Sequence, residues 1–192
     1  MKRFSLALAS VFLFTGCGIQ SIPQSKNEVD STLAEVTNQY KRRSDLVPNL
    51  VEVVKGYAKH ESETLTQVVE ARAKASSVTI DPTKMDAKKL QEFQAAQGSL
   101  SQALGRLMVV VEKYPDLKAD QNFRDLQAQL EGSENRITVA RQRHIEAIKN
   151  FNNLVTVPPT SWTNSLFFHN EKMAQWTVAN AQAIEEAPKV QF

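Results

Sequence analysis

At 192 residues, 42% of them hydrophobic and 23% charged, the chain is long enough for one domain with a sizeable core and too apolar to be disordered. Its formal charge of +2 rests on Lys2 and Arg3, which lie in a removable-leader pattern; without them the 23 Lys and Arg become 21 and equal the 21 Asp and Glu. A balance near zero excludes a general attraction to polyanions, so no nucleic-acid partner is expected.

The chain opens with "MKRFSLALASVFLFTGCGIQ". Two cations precede an apolar run from Phe4 to Phe14, shorter than the roughly 20 residues a spanning helix needs. The pattern fits a secretory signal over residues 1–16. Gly16 and Cys17 resemble a bacterial lipobox, in which the cysteine is acylated and the chain is cut just before it; Phe14 departs from the usual leucine. The other reading is a buried thiol beside an uncleaved anchor. Cys17 is the only cysteine, so an intramolecular disulfide is impossible. Gly18 rather than Asp after it favours the outer membrane, facing the periplasm, if the cell has one. Residues 17–26, with Pro23 and small polar side chains, read as a lipidated cysteine and a short tether.

The domain follows over residues 27–192. Low glycine and proline with abundant Ala, Leu, Gln, Glu and Lys favours helix. Apolar positions recur by threes and fours in three runs. The first passes through Val29, Leu33, Val36, Tyr40, Val47, Leu50, Val54, Tyr57, Val68, Ala71 and Ala75. The second passes through Leu90, Phe93, Leu100, Leu104, Leu107, Val111 and Tyr114, with Gln97 in one slot. The third passes through Phe123, Leu126, Leu130, Ile137, Ala140, Ala147, Phe151 and Leu154. "SSVTIDPTKMD" and "KYPDLKAD" separate them with turn and helix-start residues. These patterns predict an all-α, elongated antiparallel bundle of three long helices with a shorter C-terminal helical element.

Pro48 falls inside the first run and predicts a kink or break near Ser44–Val47, within a bent but continuous seam. Arg43 and Glu61 occupy seam positions where an unpaired charge is costly. They either snorkel to solvent at a flared end or pair with polar groups on neighbouring helices and fix register.

The string "RRSDLVPNLVEVVKGYAKHE", followed by "VVEARAKA", resembles the hallmark segment of the LemA family. The similarity continues through "EKYPDLKADQNFRDLQAQLEGSENRITVARQRHIEAIKNFN" and ends in "APKVQF", covering roughly residues 27 to 192. The resemblance implies a membrane-attached helical domain outside the cytoplasm with no established activity and no agreed catalytic residues. His144 stands where relatives usually carry a tyrosine.

Chemistry is sparse. "HESET" at His60–Thr64 lacks the second histidine one turn on that a zinc protease helix needs. His60 and Glu61 therefore read as a polar helix patch, or as a partner-facing one. His144 on the third seam reads as a hydrogen-bonded core histidine. No phosphate loop or nucleophile elbow is present, and no catalytic residue, metal ligand or cofactor is assigned. "PPTSWTNSLFFHNEKMAQW" concentrates Trp162, Leu166, Phe167, Phe168 and Trp176, which either complete the core at one end or form an exposed aromatic patch for a membrane or protein.

These readings favour a lipid-anchored, non-enzymatic envelope scaffold whose partners are the membrane, through Cys17, and other envelope proteins. The alternatives are an envelope hydrolase with a site at a helix junction, or a protein that self-assembles into homo-oligomers at the membrane surface.

Overall fold

The computed structural model describes the backbone of residues 2–78 and 87–176, with side chains from Ile19 onward. The Cys17 side chain and the terminal "APKVQF" lie outside the described residues. Among the described residues every regular element is helical: α1 (Lys2–Tyr57), α2 (Ser62–Ser77), α3 (Ala87–Val111), α4 (Pro115–Ala119), α5 (Gln121–Thr156), α6 (Thr160–Thr163) and a π turn (Asn164–Phe168). The all-α fold expected from the periodicity is the fold observed, and α5 alone is about 54 Å long at 1.5 Å per residue.

The first apolar run is not one helix. It breaks at Ala58–Glu61, and α2 folds back along α1 so that Ser76 Oγ lies 2.9 Å from Ser44 Oγ. The three long helices expected are four. The residues "AKHESET" supply no apolar side chain larger than Ala58, so the seam has nothing to bury there and the chain reverses. Gly56, a poor helix former by about 1 kcal/mol, stands in the last turn of α1.

No break occurs at Pro48, which lies inside α1 with its ring exposed. Proline removes the amide that would bond the Ser44 carbonyl. Arg72 of α2 replaces it, its Nε donating to the Ser44 carbonyl at 2.9 Å. The helix therefore continues without an orphaned acceptor. The tether expected over residues 17–26 is also corrected. Its backbone belongs to α1 and Ile22 is buried, because the α1 stripe continues from Val29 back to Ile22.

α5 runs antiparallel to α1: Thr32 meets His144 and, further along α1, Arg43 meets Glu134 further back along α5. α3 pairs antiparallel with α2 and lies diagonally across from α1. At the end formed by Tyr57 and the α3–α5 connection, Asp120 caps α5 by accepting from the Phe123 amide at 2.9 Å. Tyr57 Oη donates to the other Asp120 oxygen at 3.0 Å, and Tyr114 Oη donates to Glu61 at 3.2 Å.

The core divides in two. Val47, Leu50, Val54, Val68, Leu100, Leu107, Phe123 and Leu130 form one cluster. Ile22, Val36, Tyr40, Phe93, Ile137, Phe151, Val155 and Trp176 belong to the other. Full burial of each large side chain stabilises by roughly 1.5–3 kcal/mol. Arg43, Ser44, Gln97 and Ser133, all buried, occupy the level between the clusters.

Candidate functional site

Arg43 is 1% exposed and dominates this polar level. Its Nη1 donates to Glu134 Oε1 at 2.7 Å and to Ser101 Oγ at 3.0 Å. Its Nη2 donates to Gln97 Oε1 at 2.6 Å and to the Gln97 carbonyl at 3.2 Å. The Tyr40 ring lies 5.1 Å from the guanidinium carbon. Gln97 Nε2 in turn donates to the Ala75 carbonyl at 3.2 Å. One guanidinium fork and one amide thus join α1, α2, α3 and α5, a geometry that a lysine point charge does not reproduce. Glu134 is half exposed, so the ion pair sits at the edge of the bundle, where hydration lessens its desolvation.

A cleft of about 280 Å³ opens over this level between α3 and α5, lined by Gln94, Gly98, Ser101, Glu134 and Arg141 and by Trp176. The Arg141 guanidinium stacks over the Trp176 ring at 4.8 Å. Trp176 also meets Phe93 and His144 edge-on, each with ring centroids 6.3 Å apart. Burial raises the Tyr40 pKa, against the opposing pull of Arg141 and Arg43. Ser101 Oγ donates to the Gln97 carbonyl at 3.2 Å while accepting from Arg43. Its hydroxyl takes part in both of these structural bonds.

The residues singled out from sequence do not gather at one site. Arg43 is buried and paired, not snorkelled. His60 is exposed in the turn between α1 and α2, and Glu61 beside it accepts from Tyr114, so neither belongs to a continuous helix patch. The two sit far from the Arg43 level. Pro48 lies between, with Arg72 serving its orphaned carbonyl. His144 is buried, its Nδ1 3.0 Å from Thr32 Oγ1. Burial lowers its pKa to about 4.

The aromatic segment divides. Trp176 is buried and Phe168 packs against the core, whereas Trp162 and Phe167 are 65% and 64% exposed, beside Leu166 at 72%. Sequence reasoning did not single out Arg72, Ser101, Glu134 or Arg141. Gln97 alone left a trace, as a polar side chain in an apolar seam.

The LemA family model matches residues 32–192. The chain belongs to the LemA family. It is 25% identical over 183 residues to Protein LemA of Metamycoplasma hominis, covering 95% of this chain and 77% of that protein. A shorter stretch of 81 residues is 32% identical to each of Magnetosome proteins MamQ 1 and MamQ 2 of Paramagnetospirillum magneticum, covering 42% of this chain and 29% of theirs. In this LemA domain the matched region contains the whole Arg43 level and the aromatic turn.

Proposed function

We propose that this LemA family protein is an envelope lipoprotein, held at the membrane by acylated Cys17, whose helical bundle serves as a non-enzymatic platform for other envelope proteins or for further copies of itself. The observation that carries this reading is the lone cysteine, directly after Gly16 and an apolar run and on the same helix that forms the longest element of the bundle. Supporting it, the polar side chains gathered inside the bundle are bonded to one another across helices, an arrangement that serves architecture. In a cell with two membranes, Gly18 directs the protein to the outer one, facing the periplasm.

Mass spectrometry of the protein isolated from membranes tests the anchor: the mature chain begins at Cys17 and carries acyl chains. Cys17→Ser moves the domain to the soluble envelope fraction, and retention in the membrane counts against lipid attachment. In vivo crosslinking tests the platform, and a lack of any reproducible neighbour removes its support.

A further inference from the structure

The two ends of the bundle differ in chemistry. The end formed by the α1–α2 turn and α4 displays Lys59, His60, Glu63, Glu112, Asp116 and Lys118. At the opposite end, Thr15–Ser25 and Val157–Phe168 contain no charged residue at all. These two stretches are neighbours. α6 and the π turn pack against α1, and Ile22 shares a core cluster with Val155 and Phe168.

The apolar side chains at this end are held outward by a built turn. Buried Asn164 donates from Nδ2 to the Asn170 carbonyl at 2.9 Å and accepts from the Asn170 amide at 3.1 Å. His169 closes the turn in the left-handed region, with φ 53°. Asn152 then clamps the departing chain, donating to the Met173 carbonyl at 3.0 Å and accepting from the Met173 amide at 2.8 Å. Between these fastenings Trp162, Leu166 and Phe167 project into solvent, beside Val157 at 53% and Ile19 at 48% exposure.

We propose that Trp162, Leu166 and Phe167 form a second, non-covalent membrane contact that seats the end of the bundle in the headgroup–acyl boundary of the bilayer. This rests on the lipid anchoring of Cys17 proposed above. Cys17 precedes Ile22 on the continuous helix α1 by about 7.5 Å of rise. Because that stretch is helical, an acylated Cys17 holds this end of the domain at the bilayer surface. Tryptophan, leucine and phenylalanine on an exposed turn without charged residues match the amphipathic boundary, where Trp rings favour the headgroup level. A basic patch is not required, since insertion is driven by apolar area and the anchor supplies proximity.

The test uses the full-length lipoprotein reconstituted in phosphatidylethanolamine–phosphatidylglycerol vesicles whose acyl chains are brominated just below the glycerol. Subtracting the emission of Trp162→Phe from that of the wild type isolates Trp162. Its emission is expected to fall by about twofold on bromination and to be shielded from acrylamide. Leu166→Ser with Phe167→Ser removes the quenching while Cys17 keeps the protein on the vesicles; unchanged thermal unfolding shows that the variant is folded. Emission indifferent to bromine overturns the proposal. Shielding from acrylamide without bromine quenching also overturns it, in favour of a protein or second copy covering the turn. The mass of the N-terminal peptide reports the anchor separately: an acylated Cys17 without bromine quenching overturns the turn contact alone, whereas an unacylated Cys17 overturns the anchoring on which it rests.

Discussion

Arg72 Nε donates to the Ser44 carbonyl at 2.9 Å, one turn before Pro48 on the neighbouring helix. The carbonyl that proline deprives of its helical donor is served by α2, so the hairpin and the proline are energetically coupled. Arg72→Ala is expected to cost about 1–2 kcal/mol in urea unfolding, as for an unsatisfied part-buried acceptor. In a Pro48→Ala background the alanine amide can bond Ser44, and the cost of losing Arg72 shrinks by about 1 kcal/mol. Strict additivity of the two substitutions would falsify the coupling.

Arg43 spends its fork on Gln97, Ser101 and Glu134 from three directions. Arg43→Lys retains the charge but loses the fork, leaving a buried ammonium with fewer partners; a loss of about 2–3 kcal/mol is expected. Arg43→Leu removes the buried charge but leaves Gln97 Oε1 without its donor, so a loss of about 1–3 kcal/mol is expected here too. A second expected defect lies in specificity: without the fork that ties α1 to α3 and α5 the helices can slip, seen as broadened amide resonances or a changed oligomeric state by light scattering. A variant with unchanged melting temperature, resonances and oligomeric state removes the register role from Arg43.

How much of this was legible in the sequence follows from the range of each interaction. Three-four spacing is local, so helices α3 and α5 and the break at "KYPDLKAD" could be read directly. The reversal at Ala58–Glu61 could also have been read, since no large apolar side chain falls between Tyr57 and Leu65; carrying the rhythm across that gap merged two helices into one. Pro48 misled for the opposite reason. Its missing donor is replaced by Arg72, which is brought near only by the hairpin, and no local pattern shows such a partner. The tether failed likewise: Pro23 and small polar residues mask Ile22, whose burial depends on α5 lying alongside. Arg43 stood out as a charge in a seam, but Ser101, Glu134 and Arg141 look like ordinary surface residues until four helices converge on one level.

The two tryptophans should respond oppositely to truncation. Trp176 is 7% exposed and touches Phe93, His144 and Arg141, so Trp176→Ala opens a cavity between α3 and α5. A loss of about 3–5 kcal/mol is expected. Trp162→Ala removes an exposed ring and changes stability by no more than about 0.5 kcal/mol in detergent-free solution of the domain. Denaturant titration followed by circular dichroism reads both. Equal destabilisation by the two changes would mean that the C-terminal segment forms a single packed unit.

His144 makes stability depend on pH in a predictable direction. Its imidazole is buried beside Thr32 and the Trp176 edge, and burial lowers its folded-state pKa from 6.5 to about 4. The unfolded chain therefore binds a proton between these values that the folded chain does not. Stability from this group is fully present above pH 6.5 and is lost as pH falls toward about 4, a change of about 3 kcal/mol in all. His144→Gln keeps a polar side chain at the site but has no proton to exchange. The slope of unfolding free energy against pH should then be flatter than wild type by up to about one proton, 1.4 kcal/mol per pH unit, within that window. Carboxylates contribute to both proteins alike, so the difference between the two curves isolates the histidine. Parallel curves across the window would place the His144 proton equilibrium at the same pKa folded and unfolded, and the burial argument would fail.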